Sequence, residues 1–352
     1  MRTALVAAVA IALIAVVAAV WRHGDGDGSA LLRAVVEPAN QAEAQLVAPK
    51  PGPTFPSTTA TAPPTTVPPT TAPPAPTTTA APPPRFSFDP YAGLGAWVDT
   101  YDWSVTYAGP RGGPFVGAAD IERMAGLGVR TLYIQASKHD SPTPVLEPEL
   151  LIPLIDRAHA VGMRVVAWYL PGLYDHGSDL QRLLAIAELP IDGLGVDIEP
   201  LSHQYIAGIP FEELTARLLW LSTELRNALP GQVLSAIPVP PVVFEINPNY
   251  WPGYPWAELG ALYDVWQPMG YWTMRTASSG WRDGYTYTAA NIDRIRQLIG
   301  RSDAVVHPIG GVGDQQSAEE MAAHVAGMVQ ASAERGAIGG SIYDYATTAD
   351  PV

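Results

Sequence analysis

The chain has 352 residues, with 36 prolines, 32 glycines, no cysteine and a formal charge of −14. Without cysteine it can hold no disulfide scaffold, thiolate zinc site, iron–sulfur cluster or cysteine nucleophile. The acidic balance argues against a nucleic-acid partner, which asks for a basic surface, and the length fits one large barrel with extensions as well as two domains.

Residues 1–21 read as a membrane anchor. No residue from Thr3 to Trp21 is charged, and almost all are Ala, Val, Leu or Ile. A helix over residues 3–21 spans about 28 Å, close to the hydrocarbon thickness of a bilayer. A cleaved signal peptide is the alternative, but it has a shorter apolar region and a small-residue cleavage site. Here the run ends in Val20-Trp21-Arg22. The expected location is the cell membrane, single-pass, with the remainder outside the cytoplasm, or secretion if the segment is cleaved.

Residues 22–85 read as a disordered linker, Pro/Thr-rich from residue 49. Residues 49–85 hold 14 prolines and 11 threonines. Proline blocks helices and sheet ladders, and almost nothing apolar is available to bury. Such a spacer reaches on the order of 100 Å at roughly 3 Å per residue.

Residues 86–352 alternate short apolar runs with helical patterns. The runs are Gly95–Asp99, Thr131–Ala136, Arg164–Leu170, Leu194–Glu199, Val233–Pro238, Val265–Tyr271, Ala304–Gly310 and Ile338–Tyr345. Helical patterns cover Ala118–Leu127, Glu149–Val161, Asp179–Leu189, Glu212–Leu229, Ala289–Ile299 and Ala318–Glu334, with a short one at Trp256–Tyr263. Eight βα repeats predict an α/β fold, a (β/α)8 TIM barrel. A doubly wound open sheet is the rival, but no G-x-G-x-x-G follows the first run. Seven residues follow Tyr345, too few for a full eighth helix.

In such barrels chemistry sits at the carboxyl ends of the strands, and side chains alternate in and out. On the fourth run Leu194, Val196 and Ile198 share the outer face. Gly195, Asp197 and Glu199 then point inward. Two inward carboxylates at i and i+2 raise each other's pKa, which suits a general acid near neutral pH. A structural ion pair is the plainer reading of the same residues. The same parity turns Trp97 and Asp99, Tyr133 and Gln135, and Gln267, Met269 and Tyr271 inward. On the last run Tyr343 points in and Asp344 away, unless the strand end twists. Aromatic residues crowd the loops beyond these ends: Tyr101, Trp103 and Tyr107; Trp168, Tyr169 and Tyr174; Tyr250, Trp251, Tyr254 and Trp256; Trp272, Trp281 and Tyr285. Flat rings with polar tips suit sugar faces. Of these, Trp168, Tyr169, Trp251, Trp272 and Trp281 are expected to contact substrate, together with Trp97, Gln135, Gln267, Met269, Tyr343 and Asp344.

The segment Asp192-Gly193-Leu194-Gly195-Val196-Asp197-Ile198-Glu199 resembles the D-G-x-D-x-D-x-E signature of glycoside hydrolase family 18, the chitinase-like barrels. Gly195 stands where that family has its middle aspartate. Met269-Gly270-Tyr271-Trp272 resembles the family's M-x-Y-D, with Trp272 in place of the aspartate. The resemblance implies that Glu199 is the general acid/base, that Asp197 orients an acetamido group and that Tyr271 hydrogen-bonds it. The Asp-x-Glu pair also resembles family 25 muramidases, which add an aspartate on strand one, matched by Asp99, and another late in the barrel, where Asp344 is the counterpart.

Other chemistries lack their motifs. His139, His176, His203 and His307 lie near run ends, but there is no H-x-H on strand one and no H-E-x-x-H. Lys138, needed for a Schiff base, falls in a loop. Gly310–Gly313 reads as a turn, and no G-x-S-x-G occurs. No metal or cofactor is expected. The reading is an exported glycosidase cleaving a cell-envelope or environmental polysaccharide. The alternative is a non-catalytic carbohydrate-binding module on a degenerate barrel, motivated by Gly195 and Trp272. Residues 86–352 carry 15 basic and 30 acidic groups, which favours neutral glycans over polyanions.

Overall fold

The computed structural model describes residues 87–108, 116–199, 209–311 and 318–348. The expected anchor and linker lie outside the described residues. Among the described residues no helix is long and apolar enough to cross a membrane.

The strands are β1 (Gly93–Val98), β2 (Thr131–Lys138), β3 (Arg164–Leu170), β4 (Gly193–Ile198), β5 (Leu234–Pro238), β6 (Val265–Trp266), β7 (Met269–Gly270), β8 (Val305–Val306), β9 (Ile309–Gly311) and β10 (Gly339–Tyr343). All pair in parallel, in the order β7-β9-β10-β1-β2-β3-β4-β5-β6-β8. The sixth and seventh expected strands are each split in two. The split falls at Gln267-Pro268 and at His307-Pro308. Proline has no amide to give to a ladder, so a strand is interrupted there. Val265 pairs with Val305 and Met269 with Ile309, in one register. Pro268 therefore stands beside Pro308. Because β6 pairs with β8 and β7 with β9, the sheet closes on itself as an eight-stranded α/β barrel.

The helices are α1 (Thr100–Trp103), α2 (Val105–Ala108), α3 (Ala118–Gly126), α4 (Pro148–Ala160), α5 (His176–Ala187), α6 (Phe211–Ala228), α7 (Pro241–Ile246), α8 (Trp256–Gly260), α9 (Gly284–Leu298), α10 (Ala318–Glu334) and α11 (Tyr345–Thr348). Two begin earlier than apolar spacing indicates, because an aspartate caps them. Asp175 accepts from the Ser178 amide at 3.0 Å and starts α5. Asp283 accepts from the Thr286 amide at 2.7 Å and starts α9. A cap satisfies an amide that the first turn leaves unpaired. Among the described residues, β10 is followed by the four-residue α11.

Leu194, Val196 and Ile198 pack into the layer between sheet and helices. Trp97, Tyr133, Trp168, Ile237, Met269 and Ile309 fill the barrel interior. Tyr91 plugs the amino-terminal end. Its hydroxyl accepts from the Leu194 amide at 3.0 Å and donates to the Val233 carbonyl at 3.0 Å. Only glycine fits at Gly193, since a Cβ there would meet the Tyr91 oxygen at 2.5 Å.

Candidate active site

β4 delivers the two carboxylates to the carboxyl end of the barrel. Asp197 is 7% exposed, and its Oδ1 has no hydrogen-bond partner. Glu199, one residue past the strand, is partly exposed. Burial raises the Glu199 pKa to about 7. Burial, and then the charge of Glu199, push Asp197 well above the usual carboxylate range. Leaving water penalises each charge, and each charge penalises the other. The pair thus retains a proton at neutral pH.

Beneath them Gly195 has no room for a side chain. A Cβ would lie 2.9 Å from both Ile237 Cδ1 and Ser235 Oγ. The space that a side chain would need at this position is taken by its neighbours' packing.

Tyr271 adds a hydroxyl to this mouth. Burial raises its pKa first, and the charges of Asp197, Glu199, Asp344 and Asp99 raise it further, so it stays a protonated donor. Tyr343, next to it at 5.7 Å between ring centroids, donates to Asp99 Oδ2 at 2.9 Å. Asp99 also caps α1, accepting from the Tyr101 amide at 2.7 Å. Asp344 is buried, and its carboxylate lies within 4.8 Å of those of Asp99 and Asp102. The expectation that Asp344 points away is corrected; it lies with the strand-one acids. Asp102 accepts from the Asp99 amide at 3.1 Å, so Asp99 and Asp102 together cap the start of α1.

Trp97 stacks on Tyr133 at 4.4 Å and meets Trp168 edge-on at 5.7 Å. A hydrogen-bond chain fixes its indole. Trp97 Nε1 donates to Ser341 Oγ at 2.7 Å, and Ser341 Oγ lies 3.0 Å from His307 Nε2. His307 Nδ1 lies 2.8 Å from the Tyr91 carbonyl. A carbonyl only accepts, so Nδ1 carries the proton and Nε2 accepts from Ser341. Burial lowers the His307 pKa to about 4, and the ring is neutral. Trp168 Nε1 is buried without a hydrogen-bond partner, on the strand next to β4. Gln267 and Met269 are buried beside them in the barrel.

Several expected contacts lie elsewhere. Tyr169 faces the helices and donates to Asp179 at 2.7 Å. Gln135 stays at the mouth but is engaged, accepting from the Thr100 amide at 3.0 Å and hydroxyl at 3.1 Å. Trp251 is buried outside the barrel, donating to Thr215 on α6 at 2.9 Å. Trp272 is buried in the helix layer, 6.4 Å from the His324 ring of α10. Trp281 packs on α9, 6.2 Å from Tyr287 and under Arg294. Conversely, Tyr250 belongs to the mouth. Burial, then Glu199, raise its pKa, Arg275 opposes this, and Asp197 adds to it. Its neighbour Trp251 is the larger ring, and loop sequence carries no parity to choose between them.

No protein-family model matches the chain, and no curated protein matches it. Solved structures do. An endo-1,4-β-D-mannanase from Thermotoga petrophila is 12% identical over 72% of this chain and 88% of its own, with a TM-score of 0.51. A class V chitinase from Pseudomonas fluorescens is 12% identical over 74% and 96%, with a TM-score of 0.51. The fold that the chain shares with these structures is the TIM barrel. The spore cortex-lytic enzyme SleL of Bacillus cereus is similar in the same way, 10% identical over 72% and 70%, with a TM-score of 0.50.

Proposed function

We propose that this chain is an O-glycosyl hydrolase acting on a cell-envelope or environmental polysaccharide. The observation that carries this reading is the Asp197–Glu199 pair at the carboxyl end of a barrel, with Asp197 buried and Glu199 partly open, where loss of water raises both carboxyl pKa values. Glu199, the more exposed of the two, protonates the glycosidic oxygen. Asp197 faces the charge that develops at the anomeric carbon, and Tyr271 and Asp99 hold the sugar between them. The named activities of the structural neighbours, a mannanase, a chitinase and a cortex-lytic enzyme, support a glycan substrate. The apolar run at residues 3–21 supports export with a membrane tether, and the Pro/Thr-rich linker supports reach away from it.

The test is release of reducing ends from peptidoglycan and chitin oligomers. Glu199→Gln should cut the rate by about 10²- to 10⁴-fold, the range for losing a general acid. Equal rates for variant and wild type would overturn the assignment.

A further inference from the structure

The loop after β7 reverses the charge of the domain around it. The twelve residues from Tyr271 to Arg282 hold two arginines and no acid. Residues 86–352 as a whole carry twice as many acidic as basic groups. A loop that follows a barrel strand stands at the carboxyl end, where the carboxylate pair is.

The backbone of Arg275 is fixed there. A single 3-10 helical turn, Trp272–Met274, follows Tyr271. The Met274 amide donates to the Tyr271 carbonyl at 3.2 Å, and the Arg275 amide donates to the Trp272 carbonyl at 3.0 Å. The Thr273 hydroxyl donates to the Gly311 carbonyl at the end of β9 at 3.4 Å. Arg275 therefore leaves a turn that is bonded to the barrel wall.

Its side chain is partly buried, and its Nε is buried without a hydrogen-bond partner. Among the described residues no carboxylate pairs with this guanidinium. Other arginines of the barrel are engaged, Arg226 with Asp264 at 2.7 Å and Arg335 with Asp293 at 3.0 Å. An N–H donor that has left water without meeting an acceptor costs stability, and at a barrel mouth it calls for an acceptor from outside the chain.

Tyr250 connects Arg275 with the carboxylates. Its ring packs against the cluster that fills the barrel interior. Its hydroxyl feels the charge of Glu199, then that of Arg275 with the opposite sign, then that of Asp197. The guanidinium and the pair thus act on one hydroxyl, and a ligand seated at the pair comes within reach of Arg275.

The chemistry of the guanidinium narrows the ligand. Its planar fork matches the two oxygens of a carboxylate. One cation at a mouth that also holds Asp99, Asp197, Glu199 and Asp344 balances one negative charge, not a dense row of them. A sugar with a single carboxylate meets both conditions. The charge of the whole domain favours neutral glycans, and Arg275 makes a local exception to it.

We propose that Arg275 is a specificity-determining residue that takes the carboxylate of an acidic sugar unit beside the bond to be cleaved. This rests on the hydrolase reading, which places the sugar at Asp197 and Glu199. The carboxylate belongs to a uronic acid or to a lactyl ether on an amino sugar.

The experiment measures binding to the full chain carrying Glu199→Gln, so that ligands are held without being cleaved. The probes are oligoglucuronates and peptide-free peptidoglycan strands, each as the free acid and after conversion of its carboxylates to primary amides. The free acid of one source should bind at least about tenfold tighter than its amide, and that source is the one recognised. Adding Arg275→Gln should bring the ratio of acid to amide close to one. A loss of about tenfold to a hundredfold is the effect of a hydrogen bond to a charged group. Arg275→Lys should keep part of the ratio, since it retains the charge without the fork. Arg275→Gln should melt no lower than its parent, because the group removed has no partner to lose. A parent that binds acid and amide equally, or binds neither, would overturn the proposal without any substitution at Arg275. A folded Arg275→Gln variant that keeps the parent's ratio would overturn it as well. Cleavage by Glu199→Gln at the wild-type rate would overturn the hydrolase reading alone, because the binding ratio does not depend on cleavage.

Discussion

Tyr343 on the last strand donates its hydroxyl to Asp99 at the end of the first, at 2.9 Å. This bond ties the last strand to the first beyond their paired residues. A hydrogen bond to a charged acceptor contributes about 1.5–3 kcal/mol. Tyr343→Phe should therefore lower the melting temperature and reduce kcat/KM on glycan by about tenfold. Chemical denaturation and steady-state kinetics check this. An unchanged kcat/KM would separate Asp99 from the reaction.

The Glu199 pKa of about 7 fixes the sign of two pH effects. Activity should fall on the alkaline side with a midpoint near 7, as Glu199 loses the proton it donates. Stability moves in the same direction. Between the unfolded value of 4.5 and about 7 the folded chain holds more protons than the unfolded one, so this group's contribution is lost as pH rises. Glu199→Gln should melt at a higher temperature than wild type at pH 8, with the gap closing by pH 4. A gap that widens toward low pH would contradict the burial of the pair.

His307 works in the opposite sense. It is neutral when folded, with a pKa lowered from 6.5 to about 4. Below pH 6.5 the unfolded chain takes a proton that the folded chain refuses, so stability is lost as pH falls from 6.5 to about 4. His307→Gln should be less stable than wild type at pH 7, because Ser341 and the Tyr91 carbonyl lose their partner. That deficit should shrink toward pH 4. Thermal melts across this range measure both slopes.

Placing an aspartate at Gly195 should harm this barrel. In Gly195→Asp the new Cβ would lie 2.9 Å from Ile237 and Ser235. Overpacking costs about 1–3 kcal/mol, and a third buried carboxylate adds to it. The variant should melt lower and cleave no faster. A gain in kcat would show that the interior yields more than its packing indicates.

Trp251→Ala distinguishes a core ring from a binding ring. Trp251 is 1% exposed and bonded to Thr215. The truncation should cost about 3–5 kcal/mol of stability. Its effect on glycan affinity should vanish once the folded fraction is taken into account, as denaturation and binding isotherms together would report.

The barrel and its carboxylate pair were legible because both rest on periodicity. Leu194, Val196 and Ile198 alternate with Gly195 and Asp197, and two-residue alternation has one physical meaning on a strand. The same rule applied one residue further would have turned Trp272 outward from Tyr271 and Tyr169 outward from Trp168. On a strand the face a ring occupies is set by its parity and not by its type. Trp251 and Trp281 lie on loops and helix starts, where no period assigns a face. The early starts of α5 and α9 came from side-chain caps that apolar spacing does not register. Tyr250 entered the mouth through a fold of the loop after β5 that only three-dimensional packing specifies.

Pro268 and Pro308 stand side by side where the sixth and seventh strands are interrupted. Each removes one amide from the same level of the wall, so the ladder is divided there into two short pieces, Val265–Trp266 on Val305–Val306 and Met269–Gly270 on Ile309–Gly310. Gln267 and His307 immediately precede these prolines, and Met269 and Tyr271 follow the first of them. Local opening at the seam would therefore carry the floor of the mouth with it. In amide exchange the seam would appear as a gap of two silent residues, so the break in the wall coincides with the part proposed to hold substrate.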